Sequence, residues 1–207
     1  KRSADHMTGV VASDGWTQRV RLYLTIKPFM RSALIPVTSP AYYEWAKRIG
    51  DLLESYGVST HIVRIHGHDD FLNTLSDHAY RVDSLIRLFD AYSPETTQAV
   101  AKKCSEFNIT FFSPFLKDIS HGVAVAIGSS NERSGYFAAQ KMLAIIEEHQ
   151  APATIPVLNI SDQQPCEIHF NQMAMQIQGM DPSRITTLAL QYASKVTAIL
   201  DKDIDIS

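Results

Sequence analysis

Val82–Phe107 reads V-D-S-L-I-R-L-F-D-A-Y-S-P-E-T-T-Q-A-V-A-K-K-C-S-E-F. Its first half, with Val82, Leu85, Ile86, Leu88 and Phe89, is a mostly apolar run of strand length. Ser93 can cap a helix, Pro94 suits the first turn, and Glu95 complements the helix dipole there. Val100, Cys104 and Phe107 then fall at i, i+4 and i+7 on one helix face. The stretch therefore predicts a buried strand, a short loop and a helix. Asp90 sits where the strand ends, which in an open parallel sheet is the edge where ligands bind.

Working outward, the same unit repeats. Ser32–Val37 is a strand, and Ser39-Pro40 repeats the cap-plus-proline device. The helix it opens runs to about Tyr56, with Tyr42, Trp45, Ile49, Leu52 and Leu53 at helical spacing and Gly57 as its stop. Val58–Ile65 alternates as a strand, Asp69–Tyr80 is a modest helix, and Asn108–Ser113 is a further strand. Upstream, a short strand follows Gly9, and Thr17–Phe29 is a helix. Four strand–helix alternations between Ser32 and Ser113 predict an α/β fold, a parallel sheet with right-handed crossovers and helices on both faces. After Pro114 the rhythm changes. Gly122–Gly128 is a strand of small residues, which permits a close backbone approach. A long helix to about Glu148 follows, then strands at Ile155–Ile160 and Glu167–Gln172. A short helix ends at Gly179, and Ile185–Leu200 is read as helical in part.

Composition narrows the class. Of 207 residues, 45% are hydrophobic and 20% charged, an ordinary soluble globular balance. A net charge of −3 offers no electrostatic basis for nucleic acid or an anionic membrane as partner. No apolar run is long enough to span a bilayer. The chain opens at Lys1 rather than Met, so a processed or excised product is expected and the compartment stays open. Cys104 and Cys166 form no C-x-x-C or zinc pattern; two separately packed thiols is the first reading and a disulfide the second.

The order of motifs resembles the substrate-binding proteins of ABC transporters, of the type whose characterised members bind aromatic amino acids and have a two-lobed, periplasmic-binding-protein-like type I fold. M-T-G-V at Met7–Val10 is similar to a hinge segment of that family, and I-P-V-T-S at Ile35–Ser39 to a strand ending in a small polar residue. V-D-S-L-I-R-L-F-D is similar to its strand ending in Asp, and I-T-F-F-S at Ile109–Ser113 to the strand after it. G-V-A-V-A-I-G with the helix that follows, A-P-A-T-I-P-V at Ala151–Val157 and H-F-N-Q-M-A-M-Q-I-Q-G-M at His169–Met180 complete the series. The chain departs from the pattern at Gly128–Asn131, G-S-S-N where the family has Asp-Tyr, and at E-E-H-Q, Glu147–Gln150, where it has Leu-x-Gly.

The resemblance implies four regions. Residues 1–16 are a hinge segment and 17–113 a complete α/β lobe. Residues 114–154 cross with a strand and helix of the other lobe, and 155–207 return. Most of an N-terminal lobe would then lie outside this chain, and a homodimer could cover the face it leaves. It also implies a small-molecule ligand such as an amino acid, a membrane permease as partner, and a periplasmic, extracytoplasmic or lipid-anchored location. A ligand-sensing domain of a signalling receptor is the alternative; an α/β enzyme using Asp90 with a histidine comes third. No G-x-S-x-G, P-loop or G-x-G-x-x-G supports an enzyme or a nucleotide cofactor.

Six residues are candidates for ligand binding. Asp90 either accepts from a ligand ammonium in a partly desolvated cleft or bonds its own loop amides. Ser39 and Ser93 cap helices at the same sheet edge, where free amides also bind carboxylates, and Thr38 adjoins Ser39. Ser129 lies in a third polar turn. Phe112, with Tyr42, Tyr43 and Tyr92, either stacks on an aromatic ligand or belongs to the core. His61, His66, His68, Asp69 and Asp70 are dense in possible metal ligands, but they lead into a helix cap and are read as a solvated loop.

Overall fold

The computed structural model describes residues 7–11, 15–90, 92–129, 131–159, 167–183 and 195–199. The elements in chain order are β1 (Val10–Val11), α1 (Trp16–Ile26), β2 (Ser32–Val37), α2 (Pro40–Glu54), β3 (Ser59–Arg64), α3 (His68–His78), β4 (Ser84–Ile86), α4 (Pro94–Glu106) and β5 (Thr110–Ser113). A 3-10 turn (Leu116–His121) leads to β6 (Val125–Gly128), followed by α5 (Asn131–Ile146), β7 (Leu158–Asn159), β8 (Glu167–Asn171), α6 (Gln172–Ile177) and β9 (Lys195–Ile199).

Seven strands form one sheet in the order β3-β2-β4-β5-β6-β8-β9, and β1 and β7 form a separate parallel pair. From β3 to β6 every pairing is parallel, as the strand–helix alternation predicts. β8 then runs antiparallel to β6, with Val125 opposite Phe170 and Gly128 opposite Glu167. Within the segment read as partly helical, Lys195–Ile199 is a strand paired with β8. Its K-V-T-A-I run is rich in β-branched residues, which suit a pleated ladder. The rest of 185–200 lies outside the described residues, as does Cys166. Cys104 is a buried free thiol.

The two sheet faces carry distinct cores. Val20, Tyr23, Ile49 and Leu53 of α1 and α2 pack on Ile35, Ile86, Phe112 and Ile127 on one side. Phe71, Leu75, Val100 and Cys104 of α3 and α4 pack on Leu34, Leu85 and Phe111 on the other. Successive strand residues point to opposite faces, which is why neighbours such as Phe111 and Phe112 serve different cores. β3, at one edge of the sheet, is only half buried: its ends are exposed and its middle residues intermediate, so its burial does not follow the alternation read from the sequence.

The small residues of Gly122–Gly128 make the close approach that their size permits. A Cβ on Gly128 would fall inside contact distance of the Pro114 carbonyl oxygen. Among the described residues no helix is long and apolar enough to cross a membrane.

Candidate functional site

The strand order places a switch point between β2 and β4. After β2 the chain crosses through α2 to β3 on one side; after β3 it crosses through α3 to β4 on the other. Connections that diverge in this way leave a crevice at the carboxyl ends of the strands. The loops after β2 and β4 meet there. Asp90 is fully buried, and its Oδ2 accepts from the Thr38 backbone N–H at 2.6 Å and the Thr38 hydroxyl at 2.7 Å. Asp90 Oδ1 is buried and has no hydrogen-bond partner among the described residues.

A groove of about 360 Å³ opens beside this pair, lined by Thr38, Ile65, His66, Gly67, His68, Tyr92, Ser93 and Thr96. It lies over the ends of β2 and β3 and the first turn of α4. Ser93 caps α4 as its sequence predicts, accepting from the Thr96 N–H at 3.2 Å. Hydrogen bonds from its own backbone amide and from the Ser93 hydroxyl hold the exposed Glu95 carboxyl below its usual range. α3 starts at Gly67 without a side-chain cap, and Asp70 accepts instead from the His66 N–H at 2.7 Å. His68 Nδ1 lies 3.0 Å from Thr96 Oγ1 and so bridges the two helix starts. Among the described residues no group of three or more His, Cys, Asp or Glu side chains is placed to hold a metal ion.

From Trp16 to Tyr92 runs a series of buried cations and largely half-buried rings. The Arg19 guanidinium lies over Trp16 at 5.3 Å and Phe89 at 5.1 Å, and its Nε donates to the Ile127 carbonyl. Phe89 meets Phe115 edge-on at 5.7 Å. Arg87 lies over Phe115 at 4.8 Å and Tyr92 at 4.7 Å, and pairs with Asp118 at 2.6 Å. Such cation–ring contacts gain strength when desolvated. Burial, opposed chiefly by Asp118, lowers the pKa of Arg87. Burial, reinforced by the Asp90 charge, pushes the Tyr92 hydroxyl well above its usual value.

Of the sequence candidates, Thr38 and Asp90 are in direct contact, and Thr38 and Ser93 share the groove. Ser39 occupies the N-cap position of α2 without making a side-chain cap bond. Ser129 follows β6 at the same sheet edge, outside the lining of this groove. Phe112 is placed in the core, fully buried against Tyr23 with ring centroids 4.6 Å apart. Sequence reading passed over Arg87, Asp118 and Arg19. Arg87 did carry a signal: a cation inside the apolar run L-I-R-L-F demands a buried partner.

No protein-family model and no curated protein matches the sequence. Solved structures do. A conserved domain protein from Vibrio cholerae superposes with a TM-score of 0.73 at 16% identity, over 92% of this chain and 62% of that one. An ABC domain in complex with L-Trp from Streptococcus pneumonia gives 0.72 at 15% identity, over 92% and 64%. The fold is periplasmic-binding-protein-like, type I. A ligand-free, open substrate-binding protein with adhesive properties from Clostridium difficile shares it, with a TM-score of 0.70 at 17% identity, over 96% and 66%. The chain thus spans less than two thirds of the length of each of these neighbours of the same fold.

Proposed function

We propose that this chain binds a small solute bearing an ammonium group, an amino acid or a close relative, as part of a non-catalytic substrate-binding protein of an ABC uptake system. The observation that carries the reading is the Asp90 carboxylate. It is fully buried and one oxygen is held by Thr38. The other oxygen has no partner among the described residues, and neither does the carboxylate have an ion pair there. A buried acceptor left open is costly unless something fills it. An ammonium entering between Thr38 and Tyr92 would supply a charge-assisted hydrogen bond and the missing counter-charge. Ser93, Thr96 and the histidines of the groove would face the rest of the solute. The L-Trp complex of a protein with this fold supports the choice of amino acids as probes.

In this reading a second wall closes over the groove by hinge motion, around the segment near Val10. The closed form would then dock on a membrane permease from the extracytoplasmic side. Use of the same fold as a sensor domain is the competing reading, and a homodimer is a further possible assembly.

Calorimetric titration of the full-length protein with the twenty amino acids, L-tryptophan among them, tests it. Saturable binding that Asp90→Asn weakens by about tenfold or more, the loss of one charge-assisted contact, is the expected result. Binding unaffected by Asp90→Asn would remove Asp90 from the site. A panel with no binder would overturn the amino-acid reading.

A further inference from the structure

Arg87 is only 3% exposed and stands at the carboxyl end of β4, three residues before Asp90. Its Nη1 donates to Asp118 Oδ2 at 2.6 Å and to Thr97 Oγ1 at 3.1 Å, and its Nη2 donates to the Asp90 carbonyl at 3.0 Å. The guanidinium also lies over two rings, Tyr92 and Phe115. Asp118 also accepts from the Ser113 hydroxyl, and Ser113 Oγ in turn accepts from the Phe115 N–H at 3.1 Å. One planar fork thus ties the loop after β4, the first turns of α4, the end of β5 and the 3-10 turn before β6.

A buried ion pair seldom earns its place by stability alone, because desolvating both charges offsets most of their attraction. Its geometry is another matter. Arginine offers several donors in fixed directions, which a lysine or an apolar residue cannot reproduce. Here those directions coincide with the loop that carries Asp90, Tyr92 and Ser93.

We propose that Arg87 is a positioning residue: its fork holds the loop after β4 in the conformation that presents Tyr92 and Ser93 at the groove and keeps Asp90 against Thr38 beside it. Only the loop's role in binding rests on the function proposed above; the positioning itself does not. Thr97 and Asp118 are the anchors against which Arg87 pulls. Arg87 pairs with Asp118 and meets Asp90 through its carbonyl rather than its carboxylate, so it does not occupy the open oxygen.

The test is amide hydrogen exchange at Thr96 and Thr97, whose N–H groups bond to Ser93, in the full-length protein. Arg87→Lys retains the charge and loses the fork. It should speed exchange at these two amides by about tenfold, while amides of β2 and α2 stay as in the parent. Thr97→Val and Asp118→Asn each remove one anchor and should loosen the same amides, which keeps the test open if Arg87→Lys fails to fold. Leu53→Ala, a cavity in the opposite core, supplies a variant of comparable stability loss and should leave Thr96 and Thr97 protected. Unchanged protection in Arg87→Lys, or equal loosening in Leu53→Ala, would overturn the proposal. The exchange result alone decides for or against Arg87; titration of the parent with L-tryptophan, run in parallel, tests the choice of solute and not the positioning.

Discussion

The backbone nitrogen and the hydroxyl of Thr38 both close on one oxygen of Asp90, at 2.6 and 2.7 Å, joining two loops that leave the sheet on opposite sides of its switch point. The contact does two things at once. It terminates β2 and β4 against each other, and it fixes which carboxylate oxygen is spent on the protein and which remains open.

Thr38→Val keeps the shape and the backbone donor but removes the hydroxyl. Loss of a hydrogen bond to a buried carboxylate should cost about 1.5–3 kcal/mol, read as a lower midpoint in urea unfolding with an unchanged slope. A midpoint equal to that of the parent would mean that the hydroxyl adds nothing to the backbone contact.

Phe112 separates core from cleft. It is fully buried against Tyr23, so Phe112→Ala should destabilise by about 3–5 kcal/mol through lost packing and a cavity. Phe112→Leu should cost less and leave solute affinity unchanged. A folded Phe112→Leu protein whose affinity falls tenfold would place the ring at the ligand after all.

Gly128 ends β6 against the Pro114 carbonyl, a backbone group that cannot swing aside as a flexible side chain can. Gly128→Ala should cost about 1–3 kcal/mol from overpacking, with the thermal midpoint as readout. The strand after β5 would have to shift for the substitution to be neutral.

Glu95 sets an acid-side dependence. Its carboxyl is held low by its own backbone amide and by Ser93. A depressed folded value means that its contribution is complete above the unfolded carboxyl value and is lost as pH falls through the folded one. Between about pH 5 and pH 3 the parent should therefore lose stability more steeply than Glu95→Gln. Parallel denaturation profiles for the two proteins over that range would show that the cap carboxyl is energetically silent.

The sheet was readable where its signals are local. Ser93-Pro94 and Ser39-Pro40 mark helix starts within a few residues, and the run of strand–helix pairs from Ser32 to Ser113 admits few topologies. Boundaries shifted where side chains and ladders disagree: Val82–Phe89 is mostly apolar, yet only Ser84–Ile86 pairs as β4. The site was readable only as a place. Asp90 could be put at a sheet edge from sequence, but its partner lies 52 residues away in Thr38, and nothing local in I-P-V-T-S announces that contact. Arg87 and Asp118 are hidden for the same reason, being 31 residues apart. β9 was missed because five strand-like residues sit inside a segment with helical spacing.

The antiparallel pairing of β8 with β6 imposes an order on assembly. β2 to β6 each find a partner close by in the chain. β8 reaches β6 only when the long connection between Gly128 and Glu167 brings its ends together. That closure depends weakly on length, each doubling adding about 0.6 kcal/mol, so the excursion could lengthen considerably without disturbing the sheet. Until β8 docks, however, Val125–Gly128 is a short apolar edge with unpaired amides and carbonyls, a template for pairing with another chain. The last strand to arrive beside β6 is the one that stops a half-formed molecule from adhering to its neighbours. Variants that slow its arrival should therefore first reveal themselves as aggregation during refolding rather than as a lowered midpoint.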